Sequence, residues 1–95
     1  MKYFDWDKEK NGLLRAERDV GFEDVVTAIN EGYLIKVLGH HNPKKYPNQK
    51  IYVVEIEGYV YLVPFVEDEE KRFLKTIIPS RKATKKYLIE RRKKK

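Results

Sequence analysis

The chain has 95 residues, which is room for one domain with one modest core. Seven Tyr, four Phe and one Trp, with a hydrophobic fraction of 41%, are enough to fold despite a charged fraction of 38%. There is no cysteine, so disulfides, thiolate zinc sites and cysteine nucleophiles are excluded.

Lys2 to Trp6 is short and aromatic, as a strand requires. Asp7 then stands as an N-cap whose carboxylate can accept the amides of Glu9 or Lys10, opening a first helix from Lys8 to about Arg18. Phe22, Val25, Val26 and Ile29 fall at i, i+3, i+4 and i+7, the apolar stripe of a second helix, and Gly32 suits the left-handed residue that ends it. Tyr33 to Leu38 reads as a strand. Gly39 to Lys50 has two prolines and no apolar period, and is expected to be a long loop.

Ile51 to Glu57 and Tyr59 to Val66 are rich in β-branched and aromatic residues, with Glu57-Gly58 placed to make a tight hairpin turn. Pro64 lacks an amide proton, so an edge or a bulge is expected there. Arg72 to Ile78 follows an acidic turn as one further strand, and Ser80 caps a last helix through about Arg91. The expected fold is α+β in the order β-α-α-β-β-β-β-α, a small antiparallel sheet with two N-terminal helices on one face and a C-terminal helix. Residues 1–92 form the domain and 93–95 a frayed basic tail.

The charge is uneven. Residues 1–80 hold 12 Lys/Arg and 14 Asp/Glu, whereas residues 81–95 hold nine Lys/Arg and one Glu. Such a basic end suits RNA or an acidic protein partner. Arg81 and Lys82 oppose the helix dipole at the start of the last helix, an arrangement that invites phosphate. Lys85 and Lys86 follow four residues later, so that several phosphates of one strand could be met together. Tyr87 either caps the core or offers a stacking ring and a hydroxyl. Lys75 alternates with Phe73 and Ile77 and could point into a pocket from an apolar strand face.

His40 and His41 are the only histidines. Beside Lys44, Lys45, Tyr46 and Lys50 they could supply acid/base capacity and hold an RNA backbone. No further ligands accompany them, so no metal is expected, and the chain has no phosphate-cradling glycine loop or dinucleotide fingerprint that would imply a cofactor. No stretch is apolar enough for a membrane span. The opening MKYFDWD carries charges where a secretory leader needs an apolar run, which makes the cytoplasm the expected compartment.

Two stretches carry a resemblance: Phe4-Asp5-Trp6-Asp7-Lys8-Glu9-Lys10-Asn11 followed by Gly21-Phe22-Glu23-Asp24, and Ser80-Arg81-Lys82-Ala83-Thr84 with Tyr87. Together they resemble the BrnT family of toxins from bacterial type II toxin–antitoxin systems. The resemblance implies a RelE-like fold, metal-independent RNA cleavage, and a tightly bound antitoxin, usually a ribbon-helix-helix DNA-binding protein, in a hetero-oligomer; a homodimer is the other assembly considered. Arg18 stands near the position of the family's Lys-His-Gly segment. Lys10, Arg18, Arg81 and Lys82 are the expected charge-stabilising groups, with Tyr87 or His40 as acid or base. Lys75, Lys85, Lys86, Lys45 and Lys50 are expected to bind RNA. The alternative is a non-catalytic module of the same fold, either RNA-binding or, like ParE, directed at a protein.

Overall fold

The computed structural model describes residues 2–89. The expected helix end near Arg91 and the tail 93–95 lie outside the described residues. Three helices and a mixed six-stranded sheet form the domain. In chain order these are β1 (Tyr3–Trp6), α1 (Lys8–Arg18), α2 (Phe22–Asn30), β2 (Leu34–Gly39), β3 (Gln49–Ile56), β4 (Tyr59–Glu67), β5 (Lys71–Leu74), β6 (Ile78–Pro79) and α3 (Arg81–Thr84), which continues as a π-helical turn over Lys85–Ile89.

The helix starts form as their caps dictate. Asp7 Oδ1 accepts from the amides of Glu9 at 2.8 Å and Lys10 at 3.3 Å, and α1 ends on Asp19 in the left-handed region at φ 57°. Between α1 and α2, the Asn11 side chain accepts from the Phe22 amide at 2.8 Å and donates to Glu23 at 2.9 Å, while Arg15 lies 3.0 Å from Glu23 and 3.4 Å from Asp24. The Asn11 hydrogen bond, then that of Glu23 with its own backbone amide and that from Arg15, holds the Glu23 carboxyl below its ordinary range. This clasp fixes the angle at which Phe22, fully buried, enters the core and stacks on Trp6 with ring centroids 5.8 Å apart.

The sheet order is β1-β5-β4-β3-β2, with β6 also on β4. β3 and β4 form the central hairpin, closed by Glu57 at φ 51° and Gly58 at φ 81°, the two successive positive angles that match strand twist. All pairs are antiparallel except one: β1 runs parallel to β5, with Phe4 opposite Arg72 and Trp6 opposite Leu74. The expected all-antiparallel sheet is thereby corrected. Two helices separate β1 from the rest of the sheet, so no tight turn dictates its direction, and its place at the edge of β5 lets Phe4 and Trp6 join the main core.

The expected single strand Arg72 to Ile78 instead divides into β5 and β6. Leu74 pairs with Phe65, but Ile78 pairs with Leu62, one residue out of step, so an extra residue is accommodated between them. Pro64 lies opposite this bulge. Its carbonyl accepts from the Lys75 amide at 2.8 Å, so the side of Pro64 that lacks a donor faces the interrupted ladder. The bulge also turns Ile77 into the helix-covered core, separating it from Lys75.

Alternation in β3 and β4 divides the residues between faces. Tyr52, Val54, Val63 and Phe65 face α1 and α2 in the main core with Leu14, Phe22, Val25 and Leu74. Val53 and Val60 face the other way, against Ala83, Tyr87 and Leu88. Thr84 fastens that second layer: its buried hydroxyl accepts from the Val60 amide at 2.9 Å and donates to the Ser80 carbonyl at 2.7 Å. Ser80 caps the start, its hydroxyl accepting from the Ala83 amide at 3.0 Å. Beyond Thr84 the turn widens to π geometry in place of the expected regular helix, and Ala83, Tyr87 and Leu88 pack together against Val53 and Val60.

One end of the sheet is held by charge. Glu67 lies 2.7 Å from Lys2, 3.6 Å from Lys50 and 3.8 Å from Arg72, joining the chain start, β3 and β5. The Lys2 hydrogen bond, then the charges of Lys2, Lys50 and Arg72, depresses the Glu67 carboxyl against the upward push of burial. A depressed carboxyl stabilises the fold above its unfolded pKa, and that contribution is lost as pH falls through the folded value. In urea titrations Glu67→Gln should therefore be least stable relative to wild type near neutrality, with the gap closing as pH falls from about 5 towards 3. Thr84→Val leaves the Val60 amide buried without a partner and should lower unfolding free energy by about 1–3 kcal/mol in the same assay.

Candidate nucleic-acid interface

The C-terminal segment, as described to Ile89, packs over Val53 and Val60 on one face of the sheet. Further along that face Ile51, Pro64 and Val66 are left as an apolar floor, and His40, His41, Gln49 and Lys75 stand around it, lining a groove of about 300 Å³. Lys75 reaches this position from the bulge, exposed and beside Pro64. The Gln49 side chain shares the face because it lies two residues before Ile51 in β3.

The histidines are positioned by a folded loop. The connection between β2 and β3 spans 40–48, shorter than expected, because Gly39, Gln49 and Lys50 belong to the strands. Tyr46 N donates to Asn42 O at 3.0 Å, and His40 N to Gln49 O at 3.1 Å. The His40 ring stacks on His41 with centroids 4.2 Å apart and leans on Tyr46 at 4.4 Å, and Lys45 Nζ lies 5.5 Å above the Tyr46 ring. His40 Nδ1 accepts from the Asn42 amide at 3.0 Å, which places the proton of neutral His40 on Nε2. His40 in this state is a hydrogen-bond donor with no free lone pair.

The expected site residues fall into separate groups. His40, Lys45, Lys75, Arg81, Lys82, Lys85, Lys86 and Tyr87 belong to the loop, the bulge and the C-terminal segment. Arg81, Lys82, Lys85 and Lys86 are exposed, and Tyr87 is half-buried in the second apolar layer with Lys86 Nζ 5.3 Å over its ring. Lys10 and Arg18 are exposed on α1, across the sheet from that segment, so they do not join it around one phosphate. Lys50 also contributes to the groove lining, but its Nζ lies 3.6 Å from Glu67, towards the α1/α2 face. Gln49 and the floor were not among the sequence candidates. Their signal is the strand alternation itself, which places 49, 51, 64 and 66 on one face.

Among the described residues no three His, Cys, Asp or Glu side chains gather as a metal centre requires, and no helix is long and apolar enough to cross a membrane. No protein-family model matches the chain, and the comparisons with curated proteins and with solved structures likewise found no match.

What the arrangement can do follows from its chemistry: an ammonium for an anion, imidazole groups for hydrogen bonding and proton transfer, and an apolar surface for a ring. The loop depends on the His40 contacts. His40→Ala should speed amide hydrogen exchange at Asn42 by at least about tenfold while leaving the urea midpoint near wild type, since the loop adds little to either core.

Proposed function

We propose that this chain is the toxin of a type II toxin–antitoxin pair, a BrnT-like protein of RelE-like fold that cleaves RNA without a metal. The observation that carries this reading is the meeting of His40, His41 and Lys75 in one groove, near a C-terminal segment that displays Arg81, Lys82, Lys85 and Lys86. Cleavage needs the 2′-hydroxyl to attack the adjacent phosphorus, cations against the phosphorane, and a proton for the leaving 5′-oxygen. In this scheme His41 takes the 2′-hydroxyl proton and Lys75 opposes the phosphorane charge. His40 donates Nε2–H to a phosphate oxygen, and the 5′-oxygen takes its proton from water in the open groove. The products are a 2′,3′-cyclic phosphate and a 5′-hydroxyl. The cations of the C-terminal segment hold flanking phosphates, and an acidic stretch of a ribbon-helix-helix antitoxin would neutralise the protein by occupying them.

One observation favours the non-catalytic alternative. Lys10 and Arg18 lie across the sheet from Arg81 and Lys82, so the cations expected to converge on one phosphate are dispersed. Incubation of the purified chain with labelled RNA in EDTA separates the two readings. Discrete products ending in 2′,3′-cyclic phosphate support the nuclease, and a salt-sensitive gel shift of intact RNA supports the binding module. For the nuclease, His41→Ala with Lys75→Ala should lower the cleavage rate by about 10²–10⁴-fold at unchanged melting temperature. Arg81→Ala with Lys82→Ala should instead weaken binding and reduce the salt slope for single strands by about 1.4.

A further inference from the structure

We propose that the groove takes one unpaired ribonucleotide, with its base on the Ile51, Pro64 and Val66 floor and Gln49 reading the base edge; this rests on the RNA reading above. The groove differs from the other concave surfaces of the molecule. The cleft between α2 and the β3–β4 turn presents Asp24, Glu31, Glu55 and Glu57, which repel phosphate. The bowl beside Tyr52 and Phe65 already holds Glu67 with Lys50 and Arg72. Among the described residues the groove brings together an apolar floor, a carboxamide, imidazoles and an exposed ammonium, whereas the cleft beside Lys2 and Asn48 is lined by Glu67, Asp68 and Glu69.

Each component matches one part of a nucleotide. A base offers a flat apolar face, and the floor is formed by side chains on adjacent, paired strands, Ile51 standing directly across from Pro64 and Gln49 across from Val66. Gln49 carries both a donor and an acceptor, the combination that a base edge requires. Lys75 is exposed beside the floor, and its ammonium suits the phosphate. At about 300 Å³ the groove accepts one small ligand rather than a stacked pair. A base held in a duplex keeps its faces against its neighbours and cannot lie on the floor unless it is unstacked and unpaired, so the substrate is single-stranded or looped RNA.

The test measures fluorescence anisotropy of 5′-labelled eight-nucleotide RNAs differing at one central base, and of a hairpin carrying the same sequence in its stem. The single strands should bind at least about tenfold more tightly than the stem. One of the four central bases should exceed the weakest by about tenfold, and Gln49→Ala should narrow that spread to about twofold. Val66→Trp fills a half-buried floor position and should remove the preference for single strands while leaving the salt slope unchanged. Equal binding of strand and stem, or a base preference untouched by Gln49→Ala in a variant with wild-type melting, overturns the inference alone. Failure of every RNA to bind overturns the underlying reading as well, whereas selective binding without cleavage removes only the nuclease step.

Discussion

Val53 and Val54 are neighbours in β3, point to opposite faces of the sheet, and are both fully buried, as are Val60 and Val63 in β4. The central hairpin therefore has to be covered twice. The α1/α2 pair meets the first demand with a large contiguous core, and the C-terminal segment meets the second with Ala83, Tyr87 and Leu88. That second cover is fastened less by area than by Thr84, whose hydroxyl satisfies a strand amide that would otherwise be buried alone. The groove lies on the same face, further along β3 and β4 from Val53 and Val60.

The residues that carry the BrnT resemblance are used largely in construction. Asp7 caps α1, and Asn11, Glu23 and Asp24 form the clasp between the first two helices. Ser80 and Thr84 cap and fasten the last segment, and Ala83 packs in its apolar layer. Only the charged members of these stretches remain exposed, and of those Arg81 and Lys82 are the pair on the C-terminal segment. The motifs thus relate first to how the chain folds and only secondarily to what it does.

Charge is similarly divided between structure and surface. Lys2, Lys50 and Arg72 are drawn to Glu67 at one end of the sheet, where they tie strand to strand. Among the described residues Lys75, Arg81, Lys82, Lys85 and Lys86 make no such tie between strands, and the proposed function assigns them to a ligand. Exposed ion pairs are individually worth little, but the half-buried Glu67 is shared by three cations, and such a network is screened less than an isolated pair.

Features decided by near neighbours in the chain were legible in the sequence. The Asp7 cap, the apolar stripe from Phe22 to Ile29, the left-handed Gly32 at φ 90°, the Glu57-Gly58 turn and the disturbance at Pro64 each depend on a few consecutive residues, and each stands where the residue types required. The parallel placement of β1, the division of the last strand and the π turn depend on contacts with distant segments, which compete with local preference and override it. The groove belongs to this second class. His40, Gln49 and Lys75 lie on three separate stretches, and strand register and the bulge after Leu74 bring them to one place. By itself the sequence determined the elements from β1 to β4, their order and the unequal distribution of charge. Which cations share a face was decided by the tertiary structure alone, because the sheet separates residues that composition cannot tell apart.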